Sequence, residues 1–338
     1  MRRMLAALTL MLAGCTTAAT PPAGERIGAI HREAPGLDAL VASDAPIERL
    51  AGGYGWAEGP VWIPADGGYL LFTDVPGNRI HRWSAADGAS VFLDPSGLAG
   101  DVTGFREPGA NGLIRGPGNT ILLADHGNRA IARLDLATRQ KTMLATHFQG
   151  RRFSSPNDLV LAANGAIYFT DPPYGLEGLN DSPLKEQPHN GVYRLDPDGS
   201  LHLIDDSLTF PNGVILSPDG RTLYVANSDP QRAILVAYTL DAAGNVASRR
   251  QFADLTAEVG EARPGLPDGM AVDVAGNLFA TGPGGVIVFA PDGTRLGRID
   301  TGTAIANCTF GGADGRTLFL ASHNMLARVE TRTRGFGL

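Results

Sequence analysis

Phe210-Pro211-Asn212-Gly213-Val214-Ile215-Leu216-Ser217-Pro218-Asp219-Gly220-Arg221-Thr222-Leu223-Tyr224-Val225-Ala226 is the stretch that decides the fold. Two short apolar runs, rich in β-branched and aliphatic residues, flank Ser-Pro-Asp-Gly. Proline presets φ for the turn and glycine supplies the positive φ that closes it. The stretch is a β-hairpin that opens on a polar residue followed by glycine.

The same arrangement recurs along the chain. Repeats begin at Glu58-Gly59-Pro60, Asn111-Gly112-Leu113, Asn157-Asp158-Leu159, Asn212-Gly213-Val214, Asp268-Gly269-Met270 and Asn307-Cys308-Thr309. Their spacings of 53, 46, 55, 56 and 39 residues suit four-stranded blades joined by loops of varied length. Turn signals recur at Ala163-Asn164-Gly165, Ala275-Gly276-Asn277 and Ala313-Asp314-Gly315. These lack the alternating oxygen ligands of a calcium loop and read as turns. The expected fold is all-β: a six-bladed β-propeller of four-stranded antiparallel blades, closed by an N-terminal strand. Ile47-Glu48-Arg49-Leu50 is placed to be that strand, beside Ala327-Arg328-Val329, which would remove an exposed sheet edge.

Composition agrees. The 44 glycines and 23 prolines among 338 residues are dispersed, as many tight turns require, and 43% hydrophobic content is enough for a substantial core. A net charge of −7 argues against a nucleic-acid partner, which needs a basic face.

The first residues read as an address. Arg2 and Arg3 precede an apolar stretch, Met4 to Leu12, that is too short to span a bilayer. Leu12-Ala13-Gly14-Cys15 resembles the bacterial lipobox, so residues 1–14 are expected to be a lipoprotein signal peptide and Cys15 the lipidated residue. Residues 15–45 would be the tether and N-terminal extension, and 46–338 the propeller. The lipid would be the chain's only membrane contact. Thr16, in place of aspartate, favours the outer over the inner membrane, with the protein facing the periplasm of the bacterial cell envelope. Cys308 is the one other cysteine, so with Cys15 acylated no intramolecular disulfide can form. Stability must then come from the core or a metal. Oligomeric state is left open.

In a propeller the innermost strands converge on a central channel, so the opening residues Glu58, Asn111, Asn157, Asn212, Asp268 and Asn307 should form one ring. Two carboxylates among neutral amides call for a cation. Glu58, Asn157, Asn212 and Asp268 offer the oxygen ligands that calcium prefers, whereas zinc would favour nitrogen or sulfur. The alternative is a set of strand caps hydrogen-bonding a column of channel water.

Trp56-Ala57-Glu58-Gly59-Pro60-Val61-Trp62, Ser155-Pro156-Asn157-Asp158-Leu159, Phe210-Pro211-Asn212-Gly213 and Leu266-Pro267-Asp268-Gly269-Met270 resemble the blade-opening motifs of the regucalcin/gluconolactonase (senescence-marker-protein) family. Arg152 to Asp158, Tyr168 to Leu176 and Asn307 to Gly312 resemble its bacterial gluconolactonase branch. The likeness covers roughly residues 50 to 330 in unbroken order. It departs at Ser154, where that branch more often has asparagine. The resemblance implies a six-bladed propeller with one divalent ion, usually calcium, held by the equivalents of Glu58, Asn157, Asn212 and Asp268; magnesium, manganese or zinc are the other candidates.

The expected reaction is opening of a sugar lactone, with the ion polarising the carbonyl and Asp268 as general base toward the attacking water. No Gly-x-Ser-x-Gly elbow is present. Loops after the second strands should surround the site, making Asn111, Asn157, His126, Arg152 and Tyr174 the substrate-binding candidates. His323 is a further titratable group at the rim, and Phe153 a stacking surface. Asp171 reads as a turn former, Cys308 as a packing residue, and the glycine-rich interval between Asp94 and Asn111 as a flap. The rival readings are a phosphotriesterase or other esterase on the same ion, and a non-catalytic envelope propeller that binds sugars or proteins.

Overall fold

The computed structural model describes residues 24–337. The leader, Cys15 and the first part of the tether lie outside the described residues. Among those residues six sheets of four or five antiparallel strands follow one another around a ring, and one two-stranded hairpin, His147–Phe148 with Arg151–Arg152, lies between the second and third. Among them, too, no helix is long and apolar enough to cross a membrane.

The innermost strands of blades one to six are Ala57–Ile63, Ala110–Arg115, Leu159–Leu161, Pro211–Leu216, Met270–Val272 and Asn307–Gly311. Each pairs with the next strand of its own blade through the expected hairpin, for example Leu216 opposite Leu223 across Ser217–Gly220. The ring closes as the repeats imply. Ile47–Gly52 pairs with Met325–Glu330 and completes blade six, with Ile47 opposite Val329 and Glu48 opposite Arg328.

Two blades carry a fifth strand. Arg26–Ile27 pairs outside Ile47–Gly52, and Ala29–Arg32 pairs outside Arg295–Asp300 of blade five. Leu37 and Val41, in and just after the short helical turn Pro35–Ala39, are fully buried in the cluster between blades five and six. From Gly24 onward the extension is therefore part of the propeller's outer wall.

Apolar clusters lie between neighbouring blades all the way round. Alternation of side chains along each strand sends apolar residues to both faces, because each sheet is covered on both sides by its neighbours. That is why the middle strands Tyr69–Asp74 and Leu278–Gly282 read as almost continuous apolar runs and are wholly buried. The core is a ring of inter-blade contacts, which leaves the axis free for polar groups.

Candidate active site

Glycine after the ring residue has a steric cause. In the four blade-opening pairs that carry glycine, Gly59, Gly112, Gly213 and Gly269, the chain runs against the opening segment of the next blade. A Cβ on Gly213 would meet the Asp268 carbonyl oxygen at 2.1 Å, and one on Gly59, whose φ is +49°, would meet the Asn111 carbonyl oxygen at 2.1 Å. Blades one, two and four also shift register at this point, between Glu58 and Val61, Ala110 and Leu113, and Pro211 and Val214. Such bulges re-aim side chains, here toward the axis. Asp158 takes the glycine position in blade three, where its carboxylate accepts the backbone N–H groups of Leu159 and Val214. Burial pushes its carboxyl up to about 7.

Second strands hold the ring from outside. Thr73 Oγ1 donates to the Asn111 carbonyl at 3.1 Å and Thr170 Oγ1 to that of Asn212 at 2.7 Å, so blades one and three grip the ring residues of blades two and four. The acids at the ends of these strands fix the approach. Asp74 accepts the N–H groups of Gly55 and Trp56 ahead of Glu58, and Asp171 those of Ser154 and Ser155 ahead of Asn157. Asp171 is thus the turn former its sequence context implies. It is fully buried, which pushes its carboxyl up to about 7.

The side chains meet. Asn111 Nδ2 donates to Asn157 Oδ1 at 2.9 Å, Asn157 Nδ2 donates to Asn212 Oδ1, and Asn212 Nδ2 donates to Ser228 Oγ at 2.9 Å. On the other side Glu58 Oε2 accepts the Gly59 N–H at 2.7 Å and Asn307 Nδ2 at 3.0 Å. Glu58, Asn111, Asn157, Asn212 and Asp268 form the floor of a cavity of about 720 Å³. Its walls include Trp56, Arg106, Glu107, Tyr174, Arg263 and Leu266. Asn307 instead lines a second cavity, together with Asp158 and Cys308, formed by other parts of the same inner strands.

Electrostatics single out the two ring acids. Burial, followed by the charges of Asp158 and Glu107, outweighs the bonds to Gly59 and Asn307 and raises Glu58 to about 8. Asp268 is raised well above the usual carboxylate range by burial and by Glu58, with Asp158 and Glu107 behind. Its Oδ1 is buried without a partner, as is Asn111 Oδ1. No positive side chain bonds to either acid among the described residues. Nor do those residues include a cluster of three or more His, Cys, Asp or Glu arranged to hold a metal. The donor set is two carboxylates with amides, which is oxygen chemistry suited to a hard cation.

The remaining candidates separate. Tyr174 lines the cavity, stacked on Phe210 at 5.6 Å, and burial keeps its hydroxyl protonated. His126 is fully buried behind the ring, with Nε2 at 3.1 Å from Asn157 Oδ1 and 3.3 Å from Asn111 Nδ2. Arg152 does not line the cavity; its guanidinium donates to the Asn128 carbonyl at 2.9 Å and its N–H to Glu186. His323 is exposed beside Trp56, also off the lining. Cys308 is buried in packing. The Ser154 hydroxyl is buried without a partner.

Besides Asn307, Arg152 and His323, which lie off the cavity lining, two further expectations need correction. Phe153 is not a wall of the site: it is fully buried against Phe169 and Tyr193 between blades two and three, where an aromatic ring loses more water-exposed surface than at a rim. The glycine-rich interval is not a free flap. Its residues 104–107 bond to the loop after blade three's second strand, through the Arg106 and Glu107 N–H groups to the Gly175 carbonyl and the Glu177 N–H to the Gly104 carbonyl. That is also how Arg106 and Glu107 enter the site. Their only sequence signal was a charged pair just ahead of a ring asparagine in a stretch of glycines.

A six-bladed propeller with carboxylates and amides converging at one mouth of its channel is the class these features define. Residues 56–324 match the model of the SMP-30/Gluconolactonase/LRE-like region. The chain belongs to that family. It is 46% identical to a gluconolactonase of Zymomonas mobilis over 92% of this chain and 88% of that one. A solved gluconolactonase of Xanthomonas campestris superposes with a TM-score of 0.76, at 34% identity over 92% of this chain and 99% of its own. A calcium-binding regucalcin of Agrobacterium tumefaciens shares the fold, with a TM-score of 0.63 and 20% identity over 86% and 98% of the two chains.

Proposed function

We propose that the protein hydrolyses the internal ester of a sugar lactone and does so with one divalent cation at the ring, calcium before magnesium, manganese or zinc. The Zymomonas and Xanthomonas gluconolactonases, aligned over nearly the whole chain, support the reaction class. Regucalcin-like relatives suggest the divalent metal. One observation carries the reading: two buried acids, Glu58 and Asp268, share a cavity floor with a bare Asp268 oxygen and no counter-charge bonded to either among the described residues. Two charges buried together are costly, so each acid holds its proton, as the raised values show, unless a cation takes the proton's place.

Glu58, Asn157, Asn212 and Asp268 are the residues that would hold it; Asn212 Oδ1 keeps a second lone pair beyond its bond to Asn157, whereas Asn157 Oδ1 is faced by both Asn111 Nδ2 and His126 Nε2. When bound, the cation supplies Lewis acidity to the lactone carbonyl oxygen. The chain's own groups do the rest. Asp268, which keeps some surface open to the cavity, takes a proton from the water whose oxygen bonds to the carbonyl carbon. As the tetrahedral adduct collapses, the ring C–O bond breaks and the proton passes from Asp268 to the departing ring oxygen, leaving the open hydroxy acid. Asn111, on the cavity floor, is placed to bind a substrate hydroxyl, and Tyr174 and Trp56 flank the sugar ring.

The test is a pH-indicator assay with glucono-δ-lactone, related lactones and aryl phosphotriesters side by side. Lactones should turn over far faster than phosphotriesters. Asp268→Asn should melt like the unchanged protein and lose at least about 100-fold in kcat; retained activity removes Asp268 from the base role. The location we propose, a periplasm-facing lipoprotein of the outer membrane, rests on Leu12 to Thr16 alone.

A further inference from the structure

Asn307 opens blade six as the other ring residues open theirs, yet it lines the second cavity instead of the first. Its bonds show a different role. The side chain is buried, and its Oδ1 accepts the backbone N–H of Cys308 at 2.8 Å. That bond fixes which end of the amide points the other way, because a half-turn would set the NH₂ against an N–H. The outward end is Nδ2, and it donates to Glu58 Oε2 at 3.0 Å. The bond joins the last blade to the first.

Packing holds the amide in place as well. It fills the space that a side chain on Gly269 would need: a Cβ there would meet Asn307 Cγ at 2.0 Å, Oδ1 at 2.1 Å and Nδ2 at 2.4 Å. The bare Cα of blade five is therefore what lets Asn307 reach Glu58.

Both hydrogen bonds to the Glu58 carboxyl go to one oxygen. Oε2 accepts Asn307 Nδ2 and, at 2.7 Å, the N–H of Gly59. A carboxylate oxygen has about two lone-pair sites, and on Oε2 both are taken. Oε1 accepts no hydrogen bond among the described residues, and it is not one of the sealed polar atoms left without a partner. Glu58 lines the first cavity, so the free oxygen opens there.

We propose that Asn307 is a positioning residue for the cation. With the Gly59 N–H it saturates Glu58 Oε2 and turns Oε1 into the cavity, so that Glu58 holds the ion through that one oxygen. The inference rests on the divalent-ion reading above and goes beyond it in naming the oxygen and the residue that presents it. Groups that hydrogen-bond a ligating carboxylate hold it in the orientation the ion needs, and losing one costs about 10- to 100-fold in metal affinity.

The experiment has two arms on the full chain. In the first, protein stripped of metal is titrated with calcium by calorimetry. Asn307→Ala should bind calcium about 10- to 100-fold more weakly than the unchanged protein. Raising calcium by the same factor should return kcat on glucono-δ-lactone to within a few-fold, a rescue that a residue serving only the fold would not show. In the second arm, crystals of the unchanged protein loaded with calcium should show Glu58 bound through Oε1 alone, with Oε2 still on Asn307 Nδ2 and the Gly59 N–H. A bidentate Glu58, an ion on Oε2 or an ion that does not touch Glu58 overturns the proposal whatever the enzyme does. So does an Asn307→Ala protein whose calcium affinity is unchanged, or whose lost activity calcium does not return. If Asn307→Ala does not fold, the calcium-loaded structure decides. Should the unchanged protein take up no calcium, magnesium, manganese or zinc, the divalent-ion reading fails and this inference with it. Normal uptake by both proteins sinks the inference alone.

Discussion

Gly213→Ala tests whether blade spacing sets the ring. The new methyl carbon would sit 2.1 Å from the Asp268 carbonyl oxygen, 2.7 Å from its carbonyl carbon and 2.9 Å from the Gly269 Cα. Ordinary contact begins at 3.4 Å, so the inner strands of blades four and five must part by more than 1 Å. Every neighbour is backbone, so no side chain can swing aside. Overpacking of this kind costs about 1–3 kcal/mol, or roughly 2–6 °C in a chain of this size. The larger effect is on activity. Asn212 and Asp268 sit on either side of the gap, and a 1 Å misplacement of reacting groups costs about 100-fold in rate. Gly199→Ala is the comparison: φ there is +89°, yet nothing lies within 4 Å of the added carbon. It should cost about 1–2 kcal/mol from the left-handed backbone alone and leave kcat/KM unchanged. Thermal melts and initial rates on glucono-δ-lactone read both. If Gly213→Ala keeps its kcat/KM within a few-fold, or loses no more than Gly199→Ala does, blade spacing does not control the site.

Further outcomes follow from the same geometry. Chelation should abolish turnover and lower Tm, and added calcium at 100 times its Kd should return about 2.7 kcal/mol of stability; a melt indifferent to chelator and metal argues that no cation joins Glu58 and Asp268. Asp171→Asn should gain stability over the unchanged protein as pH rises from about 4 to about 7. The folded carboxyl titrates near 7 and the unfolded one near 3.8, so in that window the folded state holds the extra proton and the unchanged protein loses stability with rising pH. A pH-independent difference in Tm would contradict the raised value. Cys15→Ala should lose incorporation of labelled fatty acid and release the protein from the membrane fraction; continued labelling would locate the anchor elsewhere.

The fold was legible because its determinants are local and repeated. Asn212-Gly213 followed by Ser-Pro-Asp-Gly contains a polar opener, a close-approach glycine and a turn, and recurrence at blade-length intervals leaves few architectures other than a closed propeller. Most of the ring was legible for the same reason: one sequence position per repeat brings Glu58, Asn111, Asn157, Asn212 and Asp268 to one cavity floor, while Asn307 lines the second cavity. Closure by Ile47–Gly52 was readable as a leftover strand with a leftover edge. The fifth strands Arg26–Ile27 and Ala29–Arg32 were not, since four residues or fewer without alternation carry no periodic signal.

What the chain's order could not tell was which rim groups face the cavity. Arg152 and His323 lie on the expected loops but point elsewhere, while Arg106 and Glu107 arrive from a stretch with no repeat counterpart, brought in by bonds to Gly175. His126 was chosen for its chemistry, yet its burial behind Asn111 and Asn157 depends on how blades two and three pack. Residue type and period determine that carboxylates and amides share an axis. The sense in which those amides bond, and the charge state of the acids among them, depend on burial and on distances between segments remote in sequence, and those exist only once the ring has closed.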